Sequence, residues 1–180
     1  MNHHELQKWK LELATRAKKG VDFILAASIL WFCMSFIWSL GVTTYTKSIW
    51  ALIVGAFLLP LAYGVSKILK TDWKVKNNPL QSLGLWLHFA QLFYFPFLVF
   101  ILLTLPDYFI MTYAIITGAH LCPYAWLYDD HSFVVTSGII SMGSLIIGLN
   151  VSPELMYIIP WFTAVILLVM AVYVLNFKTR

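Results

Sequence analysis

Gly118-Ala-His-Leu-Cys-Pro-Tyr-Ala-Trp-Leu-Tyr-Asp-Asp130 closes an apolar run that begins at Tyr108, and it places a histidine, a proline and two tyrosines inside a segment otherwise suited to hydrocarbon. The run is about the ~20 residues that a helix needs to cross a bilayer. Five similar runs accompany it: Phe23–Leu40, Ser48–Ile68, Leu80–Leu105, Ser132–Leu149 and Leu155–Phe177. Unpaired backbone cannot face lipid, so runs of this length pack as helices. The predicted fold is therefore all-α, a polytopic membrane bundle of six transmembrane helices. The alternating strands of about ten residues that a membrane barrel requires are not evident.

Composition agrees with that reading. Of 180 residues, 61% are hydrophobic and only 11% charged, against roughly 25% charged in an ordinary soluble domain. The net charge of +4 does not point to nucleic acid, because the basic residues lie between apolar runs, where lipid headgroups and membrane orientation account for them. The lipid bilayer is the expected partner, with no nucleic acid. Cys33 and Cys122 both fall in apolar runs and have no metal-type spacing, so neither a disulfide framework nor a metal site is expected.

Two units are predicted, an N-terminal amphipathic segment at residues 1–20 and a six-helix domain at 21–180. In the first, Leu6, Trp9, Leu13 and Ala17 recur at helical spacing among Lys8, Lys10, Glu12, Arg16, Lys18 and Lys19, which suits a short helix in the membrane interface. Gly20 separates it from the first span. The segment lacks a cleavage-site pattern, so the first span reads as retained.

Connections reinforce the boundaries. Asn78-Pro79 reads as N-cap and first helical residue of the third span with Gln81 behind it, and Ser152-Pro153-Glu154 repeats that order at the sixth. Asp107 is available to cap the fourth span and Asp129 or Asp130 the fifth. Basic residues set the orientation: Lys8, Lys10, Arg16, Lys18 and Lys19 precede the first span, Lys67, Lys70, Lys74 and Lys76 join the second to the third, and Lys178 and Arg180 end the chain. The opposite side carries only Lys47. The positive-inside rule then places both termini in the cytoplasm of a multi-pass inner or plasma-membrane protein.

Chemistry concentrates in spans two to four. Gly84, His88, Gln91 and Phe95 share one helical face, as do Tyr113, Thr117, His120 and Tyr124. The short Leu105-Pro106-Asp107 turn makes the two helices neighbours, with His88 and His120 at similar depth. Pro60 and Pro123 lack the N–H that would bond the carbonyls of Ala56 and Ala119, so each is expected to kink its helix. They lie in a shared G-A-x-L-x-P-x-A pattern, Gly55–Ala62 and Gly118–Ala125, consistent with a repeated two-helix hairpin. The candidate ligand-binding set is His88, Gln91, His120, Tyr63, Tyr124 and Thr117, around a pocket open to the cytoplasm. The same polar groups also suit interhelical hydrogen bonds.

Catalytic signatures are missing. The chain has no H-E-x-x-H, G-x-S-x-G, phosphate-binding loop or dinucleotide fingerprint, and Asp22, Asp107, Asp129, Asp130 and Glu154 all fall at span ends. No catalytic residue, metal or cofactor is assigned, and two histidines on adjacent helices do not suit axial haem ligation. Three functions stay open: binding or transport of a small solute, an embedded enzyme for a lipid-like substrate using His88 or His120 as base or metal ligand, and a non-catalytic accessory subunit. Oligomers are compatible with each.

Lys18-Lys19-Gly20 before Phe23-Ile24-Leu25-Ala26, then Leu59-Pro60-Leu61-Ala62-Tyr63 with Ser66-Lys67, Asn78-Pro79-Leu80 and the Gly118–Tyr128 segment, together resemble a bacterial family of small six-helix membrane proteins of unknown function. The resemblance implies a self-contained bundle and no particular activity.

Overall fold

The structure is a computed structural model that describes residues 3–176. Phe177, at the end of the sixth predicted span, and the basic residues Lys178 and Arg180 lie outside the described residues. Nine α-helices are present among the described residues, with no strand: α1 (His3–Arg16), α2 (Val21–Ser39), α3 (Thr44–Ala56), α4 (Leu58–Leu69), α5 (Leu80–Ala90), α6 (Phe95–Thr104), α7 (Phe109–Tyr128), α8 (Ser132–Asn150) and α9 (Ile158–Asn176).

The second and third predicted spans are each divided. Helices α3 and α4 part at Phe57, whose N–H bonds Val54 O, three residues before Pro60. Between α5 and α6 the chain tightens into a 3-10 turn, Gln91–Tyr94, immediately ahead of Phe95-Pro96. Pro96 has no N–H for the carbonyl four residues back, and it acts as a helix breaker outside the pattern shared by Pro60 and Pro123. Pro123 behaves differently from Pro60, because α7 runs through it without interruption. The two halves of the shared sequence pattern thus adopt different backbones.

Among the described residues five stretches are long and apolar enough to cross a membrane: Lys18–Ser39, Thr44–Leu69, Leu80–Thr104, Ser132–Asn150 and Pro153–Asn176. That fits a membrane protein. The fourth predicted span, α7, is not among them. Its 20 residues suffice in length, but His120, Pro123 and its threonines and tyrosines dilute its hydropathy. Position within the bundle explains the dilution. Helix α7 packs along α8 and also meets α1, α5, α6 and α9, so much of its surface faces protein.

Small residues allow the close approaches. A Cβ on Gly118 would lie 2.6 Å from Ser141 Oγ and 2.8 Å from Ile140 Cγ2, and one on Gly148 would strike Met111. These contacts run α7 antiparallel to α8 along its length. Ser141 Oγ donates to Ile115 O at 3.3 Å, while Ser28 Oγ and Ser35 Oγ donate to Ala164 O and Tyr157 O at 2.8 and 3.1 Å, fixing α2 antiparallel to α9. Ser28, Ser35 and Ser141 therefore act as interhelical contacts, each worth about 0.6 kcal/mol in typical membrane bundles.

Helix α1 caps one end of the bundle. Leu13 and Ala14 are buried, and Leu6 and Trp9 pack against the core, so its apolar stripe is directed inward. Arg16 pairs with Asp72 at 2.9 Å, Asn78 Nδ2 donates to Trp9 O at 2.9 Å, and Lys10 lies 3.7 Å from the centre of the Trp126 ring. The turn into α2 winds through Lys18, Lys19 and Gly20, all with positive φ. Lys18 Nζ reaches Leu69 O at 2.6 Å and Lys19 Nζ reaches Asp130 Oδ2 at 2.8 Å. The 70–79 connection and the 129–131 turn thereby gather beneath α1. At the other end Lys47 Nζ donates to Trp38 O at 2.9 Å, beside the 40–43 and 105–108 connections.

The capping expectations divide. Asn78 Oδ1 accepts from Leu80 N at 3.0 Å, and Asp130 Oδ1 from Ser132 N at 2.9 Å. Asp129, at φ 51°, ends α7 instead. Asp107 lies within the 3-10 turn Pro106–Tyr108, and no side-chain bond caps α7. Gln81 does not close a capping box: its Oε1 accepts from Val75 N and its Nε2 donates to Trp73 O, at 3.0 and 3.1 Å, fastening the preceding connection.

Candidate functional site

Where α5 approaches α7, three of the predicted residues meet. Tyr124 Oη is 2.6 Å from His88 Nδ1 and 3.5 Å from His120 Nε2, and the two imidazole rings are 5.9 Å apart. One turn of α5 explains the orientation of His88, because its Nδ1 also lies 3.0 Å from Gly84 O on the same helix. A carbonyl only accepts, so Nδ1 carries the proton and shares it with Tyr124 Oη. Tyr124 then donates toward His120 Nε2. In neutral His88 this leaves Nε2 as an acceptor. Phe23 of α2 closes over the ring with its centroid 4.6 Å away.

This triad borders two adjoining cavities, of about 100 and about 520 Å3, that share Gly20, Phe23, Gly55, His88, Gln91 and Tyr113 in their walls. The smaller reaches Thr117, His120 and Tyr124. The larger extends to Asp22, Trp73, Gln81 and Gly84 and falls in the ~300–1,000 Å3 range of small-molecule pockets. Gly55 has a specific place here: a side chain on it would collide with the Tyr113 hydroxyl. Gln91 occupies the 3-10 turn between α5 and α6, and among the described residues its amide takes no hydrogen bond. The divided helices thus flank the space, with the Phe57 break on one side and the Gln91 turn on the other.

Five of the six predicted ligand residues line the cavities: His88, Gln91, His120, Tyr124 and Thr117. Tyr63 does not. It is 52% exposed, its ring meets Trp73 edge-on at 5.6 Å, and Lys67 Nζ lies 4.6 Å above it. It lies in α4 beyond the Phe57 break, whereas Leu58 and Leu59 at the start of the same helix do reach the cavity wall. Pro60 and Pro123 are likewise exposed and outside both walls.

One residue at the site is more than the span-end carboxylate that the sequence suggests. Asp22 is 1% exposed in the first turn of α2. Its Oδ2 accepts from Thr71 Oγ1 at 2.8 Å and Trp73 Nε1 at 2.6 Å, both from the connection beneath α1. No local pattern announces partners about fifty residues away. The signal that the sequence does carry is a lone acid opening an apolar helix two residues after a glycine. Among the described residues no group of three His, Cys, Asp or Glu side chains is placed to hold a metal ion.

A model of a family described only as one of unknown function, DUF7010, matches residues 6–177. No curated protein and no solved structure matches the chain.

Proposed function

The chain belongs to the DUF7010 family, and from its own site we propose a six-span membrane protein that binds a small solute in the cavity between α2, α3, α5 and α7. The observation that carries this reading is the 520 Å3 cavity beside the His88–Tyr124–His120 cluster. Polar side chains this deep in an apolar bundle are costly unless they pair or meet a ligand, and intramembrane ionisable groups mark solute pathways by default. Here Tyr124 pairs with both imidazoles, while Gln91 and Asp22 stand in the cavity wall. Binding is the minimal activity; alternating exposure of the same site to two sides makes it transport.

Helix α7 counts as the sixth crossing in this proposal. Its antiparallel register with α8 supports a full traverse, since Met111 meets Gly148 near one end and Lys19 meets Asp130 at the other. The basic residues of α1 and of the 70–79 connection gather at one end, and the positive-inside rule makes that end cytoplasmic. The larger cavity runs toward it, reaching Leu13, Ala17 and Asp72.

Cysteine labelling tests the access route. In a chain with Cys33 and Cys122 replaced by serine, Gln91→Cys in sealed vesicles reacts with a membrane-impermeant thiosulfonate from the cytoplasmic face about tenfold faster than from the outer face, a difference of ~1.4 kcal/mol in effective barrier. Leu103→Cys, on an exposed lipid-directed surface, stays unreacted. Protection of Gln91→Cys from both faces, or reaction only from the outer face, overturns the proposed pocket.

A further inference from the structure

We infer that the cavity selects an amphipathic organic monocation, with Asp22 as its counter-ion; the inference rests on the solute-binding reading above and specifies its ligand. The argument begins with charge. Asp22 is almost fully buried, and among the described residues no lysine, arginine or histidine forms an ion pair with it. The nearby Lys18 and Lys19 are committed elsewhere, to Leu69 O and to Asp130. Thr71 and Trp73 both donate to Oδ2, so Oδ1 receives no hydrogen bond among the described residues. A desolvated carboxylate held by neutral donors alone is incompletely compensated, and a cation is the complementary partner.

The surroundings select the kind of cation. Trp73, which donates to Asp22, stacks on Phe23 with ring centroids 5.0 Å apart, and both line the same cavity as the carboxylate. Aromatic rings beside a buried charge favour weakly hydrated organic cations through the ring quadrupole. A hard metal ion needs several oxygen ligands at once, and no cluster of three metal-binding side chains exists among the described residues. His88 is already turned to Tyr124 and Gly84 through Nδ1, and Asp72, the other acid in the cavity wall, is paired with Arg16.

Shape adds the apolar requirement. Beyond Asp22 the cavity is walled by Leu52, Leu59, Leu85, Phe89 and Leu92. Leu59, Leu85, Phe89 and Leu92 are also exposed, so core packing does not seal the cavity along its rim between the α3–α4 and α5 arms. A ligand with its cationic head at Asp22 extends its apolar part along this rim.

Calorimetric titration of the full chain in lipid nanodiscs tests the inference with benzyltrimethylammonium, choline and the neutral isostere of choline, 3,3-dimethyl-1-butanol. The wild type binds benzyltrimethylammonium more tightly than choline, and binds choline about tenfold or more tighter than the alcohol. Asp22→Asn, which keeps an acceptor for Thr71 and Trp73, loses the cations by a similar factor and leaves the alcohol unchanged. The isostere comparison needs no variant and stands even where Asp22→Asn fails to fold. Equal binding of choline and the alcohol, with both lost on filling the cavity by Leu52→Trp, overturns the cation assignment and leaves the pocket reading intact. Absence of binding by all three probes overturns the cation assignment, while Gln91→Cys labelling decides the pocket separately.

Discussion

Asp130 illustrates how much a single residue's role depends on partners far along the chain. Burial opposes ionisation of its carboxyl, but hydrogen bonds from Lys19 and Ser132 outweigh it and hold the group below the usual carboxylate range. Its folded value lies below its unfolded one, so the stabilisation is complete above the ordinary carboxylate range. It is lost as pH falls through the lower folded value. Asp130→Asn at neutral pH is expected to cost about 1.5–3 kcal/mol, the worth of a charged hydrogen bond. Unfolding midpoints followed against pH should show the gap between variant and wild type closing in acid; a gap independent of pH would refute the pairing. Helix capping by this aspartate was legible from Asp130 preceding Ser132. The ion pair was not, because Lys19 is 111 positions distant.

Helix contacts show the same division one scale up. Gly118 lies in a recognisable pattern with Gly55, yet the two glycines serve different neighbours. Gly118 admits Ile140 and Ser141 of α8, whereas Gly55 admits the ring of Tyr113. Overpacking predicts that Gly118→Val destabilises by about 1–3 kcal/mol. Gly138, where an added methyl group would meet nothing within 4 Å, should accept Gly138→Ala at no cost. Thermal unfolding in detergent separates the two, and equal midpoints would remove the claim of close α7–α8 packing. The breaks follow similar logic. Pro60 was legible as a breaker, and its helix does divide at Phe57. Pro96 carries the same chemical signal without the surrounding pattern, and it forces the turn that holds Gln91.

Across the whole molecule, the number of crossings decides where the termini lie. Among the described residues five stretches meet the length and hydropathy of a span, and α7, which carries Thr117, His120 and Tyr124, is not one of them. Five crossings place the termini on opposite sides; six place them together. Reporter fusions at each terminus should both report the cytoplasm, and opposite locations would mean that α7 does not traverse. The basic residues at the α1 end make the first outcome the expected one.

Fold class and membrane character followed from the sequence by itself, because the length and apolarity of each run leave the backbone no alternative to helix in lipid. The facing of His88, Gln91, Thr117, His120 and Tyr124 was also legible, since helical periodicity places residues three or four apart on one side. Helical periodicity says nothing about which distant segment covers a face. The assembled fold alone shows that Trp73 and Thr71 return to Asp22, that Tyr63 packs on Trp73 outside the cavity walls, and that α1 folds back over the bundle end. Each depends on packing between segments that are far apart in the chain, where shape and hydrogen bonding across the assembled bundle set the outcome.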